Sequence, residues 1–170
     1  MAKNAPFCAQ IKMKGNGEKE IPFLGIGHYF WDDNIDTAKW WGKKFLKNEY
    51  YVVQSTLSCN SDIFFDLVGN RQHMKWLIRT MNELVGRGVN RKNWTLGVYF
   101  EFIKKMSEKD PSAFPYKMIR AADISGKAQR LLYYFVEGKP NFTDLNPRLV
   151  VCVIEKNVAY LKPCKIVFQS

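Results

Sequence analysis

Apolar residues recur along the middle of the chain with the period of a helix. Met74, Leu77, Ile78, Met81, Leu84 and Val85 fall on one stripe of a 3.6-residue repeat, which predicts an amphipathic helix ended by Gly86 and Gly88. Val98, Tyr99, Phe102, Ile103 and Met106 repeat the pattern, with Asp110-Pro111 beyond the end of that second helix. A further helix is expected after Asp33 or Asn34, since either side chain can accept from the free amides of a first turn and Asp36 adds charge suited to the positive helix end. Its apolar positions are Ile35, Ala38, Trp41 and Phe45, and Trp40 lies off that stripe.

Shorter runs on either side read as strands. Cys8 to Lys14 alternates weakly, as an edge strand would, before the turn Gly15-Asn16-Gly17-Glu18. Tyr29-Phe30-Trp31 is a short strand, and Tyr50 to Leu57 is β-branched and aromatic until Asn60-Ser61-Asp62 breaks it. Ile63 to Val68 is a brief apolar run. The last third returns to strands at Arg130 to Val136, Leu149 to Ile154 and Lys165 to Phe168, separated by Glu137-Gly138-Lys139-Pro140 and Asn146-Pro147. This order predicts one α+β domain over 1–170, with a sheet built from both chain ends and helices inserted in the middle.

Composition narrows the setting. With 170 residues, 46% of them hydrophobic and 15% aromatic, the chain can bury a real core and is not a disordered segment. It has no run of about eighteen apolar residues and no apolar leader, so no membrane partner is expected and the location expected is cytoplasmic. Cys8, Cys59, Cys152 and Cys164 form no C-x-x-C pair and only two histidines accompany them, so no metal is expected. Asn93-Trp94-Thr95 and Asn141-Phe142-Thr143 match the glycosylation sequon but carry no weight without a secretion signal.

The formal charge of +10 makes nucleic acid or another polyanion a possible partner. Its cations are scattered: Lys43, Lys44 and Lys47 in one helix, Arg87, Arg91 and Lys92 in a loop, Lys104, Lys105 and Lys109 in another helix. Charge alone therefore marks no single face.

The segment from Phe23 to Trp41 has residue types suited to a flat ligand. Gly25 and Gly27 permit backbone conformations and close approach that a Cβ would forbid. Aromatic residues follow on both sides of a helix start. Their ordinary alternative is core, because aromatic side chains supply much of any domain's buried area. His28 sits in the same segment.

Gly25-x-Gly27-x-Tyr29-Phe30, followed by Ala38 and Trp40, resembles the NAD-binding segment of ADP-ribosyltransferases of the diphtheria-toxin and poly(ADP-ribose) polymerase type. Uncharacterised bacterial and phage proteins of that fold are more similar still, through a Leu-Gly-x-Gly-x-Tyr-Phe-Trp-Glu segment that Leu24 to Asp32 matches with aspartate at its end. Phe64-Phe65-Asp66-Leu67, Phe135 to Gly138 and Leu149 to Val153 resemble later segments of the same group. The resemblance implies a sheet with inserted helices, an NAD cofactor, and nicotinamide held between Tyr29 and Trp40, with Gly25, Gly27 and His28 lining the site.

Two further elements of such enzymes do not fall into place. A histidine or arginine on a first strand orients the NAD ribose, yet none of the 24 residues before Gly25 is either. A glutamate or glutamine on a late strand stabilises the cation that develops as nicotinamide leaves, and that position falls on Val150. Glu137 and Glu155 are the nearby carboxylates. The resemblance thus leaves two expectations: an NAD-dependent mono-ADP-ribosyltransferase acting on a macromolecular target, or a non-enzymatic relative serving as a basic binding module in phage or bacterial defence. A missing N-terminal piece or degeneration of the site would each account for the gaps.

Overall fold

A computed structural model describes residues 8–46, 49–89, 94–123, 132–138, 142–157 and 159–170. Lys47, Arg91, Lys92, Asn93, Arg130 and the 139–141 stretch, which figure in the sequence expectations, lie outside the described residues. In chain order the elements are β1 (Cys8–Ala9), β2 (Lys12–Met13), β3 (Lys19–Glu20), β4 (Gly27–Trp31), α1 (Ile35–Phe45), β5 (Tyr51–Gln54), β6 (Phe64–Asp66), α2 (Arg71–Gly86), α3 (Leu96–Ser107), β7 (Met118–Asp123), β8 (Leu132–Tyr134), β9 (Phe142–Asp144), β10 (Arg148–Val153) and β11 (Lys165–Gln169). The class is α+β, as expected.

The main sheet has five strands in the order β1-β4-β10-β7-β6. The β6–β7 pair is parallel, and the other neighbours are antiparallel. One row of the register runs Tyr29, Cys152, Ile119, Phe65, and the next runs Phe30, Val151, Arg120, Asp66. Since side chains alternate between faces along a strand, these rows belong to opposite sides of the sheet. Both sides are covered, which is why β10 reads as an unbroken apolar run.

Under α2 and α3 lies the larger core, built on Phe65, Leu77, Tyr99, Phe100 and Phe114. Phe65 is its hub: it stacks on His73 at 4.8 Å and meets Trp76, Phe100, Phe114 and Tyr116 ring to ring. On the other side Met118, Val151 and Val153 pack with Tyr160 and Leu161 in a smaller cluster.

Asn34, Asn70 and Thr95 cap α1, α2 and α3, each accepting from a first-turn amide.

Three expectations change. Sheet strands do not come only from the chain ends, because β6 lies between α1 and α2, and β7, which follows α3, is an interior strand of the sheet. The C-terminal β11 leaves the main sheet and pairs with β5 in a separate ribbon. The stripe expected to bury α1 is turned outward: Ile35, Trp41 and Phe45 are 43%, 41% and 53% exposed, while Thr37 and Gly42 are buried. The Tyr50 ring lies against Gly42, and its hydroxyl donates to the Lys39 carbonyl at 3.0 Å. A large side chain at position 42 would exclude that ring, so the helix docks through its smallest residues. No helix of the described residues is long and apolar enough to cross a membrane.

Candidate functional site

The glycine turn is closed by the protein's own groups. Gly25 has φ +86°, a left-handed conformation that disfavours any Cβ. Its Cβ direction is filled by the Glu101 carboxylate and Lys104 of α3. Glu101 Oε1 accepts from the Ile26 amide at 2.7 Å, Lys104 Nζ donates to the Ile26 carbonyl at 2.9 Å, and the two side chains pair with each other. Gly27 meets β10 instead, where a Cβ would come within 2.5 Å of Cys152 Sγ and 2.9 Å of the Val153 carbonyl oxygen.

Tyr29 completes this closure. Its hydroxyl donates to the Gly25 carbonyl at 2.7 Å and accepts from the Leu24 amide at 2.8 Å, so both of its hydrogen-bonding roles serve the turn. Its ring packs against the larger core. Burial, with Cys152 beside it, raises the phenol's pKa far above the ordinary tyrosine value. The Cys152 thiol is itself pushed up to about 12, chiefly by burial, and is inert as a nucleophile at neutral pH.

His28 and Tyr29 point to opposite faces of β4. Only a protonated Nδ1 can donate to the Val153 carbonyl 3.3 Å away, which sets the tautomer of His28. Burial lowers its pKa, with Lys156 contributing in the same direction against the Val153 hydrogen bond.

Trp40 stands on α1 in a different setting. The Arg148 guanidinium lies 4.3 Å from its ring centroid, and Lys44 Nζ lies 5.0 Å away. Phe45 meets Trp40 edge-on at 6.2 Å and Trp41 at 5.3 Å. Lys39 sits over the Phe168 ring at 4.7 Å, joining α1 to β11. Aromatic rings and cations therefore alternate around α1.

The two carboxylates singled out from the sequence are both exposed. Glu155 follows β10, and its backbone carbonyl accepts from the Tyr160 hydroxyl. Glu137 follows β8. The side chain that reaches Trp40 from β10 is Arg148.

A second polar cluster was not foreseen. Arg120, on central β7, reaches Asp32 after β4 at 2.8 Å and Asp66 on β6 at 3.6 Å. Asp66 also accepts from the Val68 amide at 2.8 Å, and its own amide donates to His73 Nδ1 at 2.9 Å. Nδ1 must be unprotonated to accept, and burial correspondingly lowers the pKa of His73. This arginine ties three strands of the sheet together. In the sequence Asp32 stands out only as the end of a motif, and Arg120 carries no local signal because it and Ala121-Ala122 have weak strand preference.

Among the described residues no group of three or more histidine, cysteine or carboxylate side chains is placed to hold a metal. No family model, curated protein or solved structure matches the chain.

Proposed function

We propose that this protein is a non-catalytic binding module for a phosphate-rich polyanion, with the α1 side of the molecule as its contact surface. The observation that carries the reading is the Arg148 guanidinium over Trp40. A guanidinium stays protonated at any accessible pH. It covers the ring on which nicotinamide would stack, and it adds positive charge where transferase chemistry develops a cation and needs a carboxylate. The exposed lysines Lys43 and Lys44 on the same helix suit a phosphate. The net charge of +10 agrees with a polyanionic partner.

A second reading is an ADP-ribosyltransferase-like fold whose NAD site supports mono-ADP-ribose transfer to a macromolecular target. It is favoured by the succession of Gly25, Gly27 and Tyr29 on a turn and strand that lead into the helix carrying Trp40.

One experiment separates the two. Labelled NAD is incubated with the protein and a cell lysate, while heparin binding is followed in parallel at rising salt. The module reading expects no transferred label, and heparin affinity that falls steeply with salt. Label that appears on protein or nucleic acid, and that Tyr29→Ala abolishes, would overturn it in favour of the enzyme.

A further inference from the structure

We infer that the outward face of α1 is a stacking platform for single-stranded nucleic acid, with Trp41 and Phe45 receiving unpaired bases and the lysines beside them receiving the phosphates. The inference rests on the polyanion reading above and names the class of partner.

The first observation is the placement of the apolar residues. α1 buries Thr37 and Gly42 and leaves Trp41, Phe45 and the adjoining Leu46 between 41% and 53% exposed. Large aromatic residues clustered on a surface mark a contact site more often than a bare solvent face. Trp41 and Phe45 lie 5.3 Å apart with a 41° tilt, so their rings form one continuous aromatic strip.

The second observation is the charge carried by the same helix beside that strip. Lys44 lies within 5.2 Å of both the Trp40 and Phe45 ring centroids. Lys43, which is exposed, and Lys39, over Phe168, lie farther round the same helix. Among the described residues, Lys39, Lys43 and Lys44 pair with no carboxylate. Their charge is available to an anion.

The combination selects the occupant. Rings without cations would suit an apolar peptide, and cations without rings would suit any duplex through its backbone. A duplex keeps the faces of its bases stacked inside, whereas a single strand offers both free base faces and phosphates. Base–aromatic stacking alongside a basic track is how sequence-tolerant single-strand binding works.

The test uses the full chain with fluorescein-labelled oligothymidylate of about 12 nucleotides, a length within the usual site-size range. Its double-stranded counterpart and vesicles containing phosphatidylserine serve as competitors. Single-strand binding should quench tryptophan fluorescence and exceed duplex binding. The double variant Trp41→Ala/Phe45→Ala should weaken it by about tenfold or more while duplex or heparin binding changes less than about twofold. An unchanged circular-dichroism melting curve for that variant verifies that it folds.

Equal single-strand affinity in the variant and the wild type would overturn the inference, as would vesicles that outcompete the oligonucleotide. If heparin and duplex bind with strong salt dependence but single strands gain nothing, stacking fails and the polyanion reading survives. If no polyanion binds, both fall together.

Discussion

Two aromatic regions that are neighbours in sequence have opposite fates. The Gly25–Tyr29 turn is bonded inward on every side: Glu101 and Lys104 bind the Ile26 peptide, Tyr29 bonds both Leu24 and Gly25, and β10 packs on Gly27. A few residues later, α1 keeps only Thr37 and Gly42 buried and carries Trp41 and Phe45 at the surface. An aromatic residue whose polar atom and ring are both engaged by its own chain supports the fold. One whose ring faces solvent between cations is free to meet a partner. Residue type alone would rank the two regions alike, and only their long-range contacts separate them.

The sharpest way to break the contrast is at Gly27. Because a Cβ there would lie 2.5 Å from Cys152 Sγ and 2.9 Å from the backbone oxygen of Val153, Gly27→Val should destabilise the protein by about 3 kcal/mol. Urea unfolding measures this, and a loss below about 1 kcal/mol would mean that β4 and β10 can move apart freely.

Tyr29→Phe tests the turn more gently. It leaves the Leu24 amide and the Gly25 carbonyl, both on buried residues, without their partner, at an expected cost of about 2 kcal/mol. The ring survives this change, so NAD stacking would persist if it occurs, while turn stability falls. A melting temperature equal to that of the wild type would show that the phenol does not hold the turn.

The smallest effect is expected on the other side of the comparison. Trp41→Ala and Phe45→Ala, measured singly, should each alter stability by no more than about 0.5 kcal/mol. A drop several times larger would place these rings in the core and remove them from the surface.

How far the sequence disclosed this arrangement depended on the range of the forces involved. The stripes of α2 and α3 were legible because their burial follows one helical period. β10 was legible as well, since Leu149 to Val153 is apolar on both faces. β7 was not, because Arg120, Ala121 and Ala122 lack β-branching and have weak strand preference. Its place is imposed by Val151 and Asp66 on either side.

On α1 the apolar spacing was real, yet it pointed outward. The Tyr50 ring required a gap at Gly42, and no local pattern encodes such a requirement. Gly25 was recognisable as a special backbone position. That its neighbour Ile26 is bonded by Glu101, 75 residues away, could not be read from the segment itself. Lys104 likewise read as one more surface cation, whereas it is committed to Glu101 and to the Ile26 carbonyl.

The strand order has a consequence for how the chain is made. β10, made after both β4 and β7, sits between them, so each of those strands presents an open edge until residues 148–153 have left the ribosome. Elongation at about 5–20 residues per second gives those unpaired edges several seconds of exposure before the sheet can close. Closure joins segments more than a hundred residues apart, as in the Val153–His28 pair, which favours slow folding. A nascent chain halted before Arg148 would lack the strand that joins the two halves of the sheet, and it would be a natural client for a chaperone that shields strand edges.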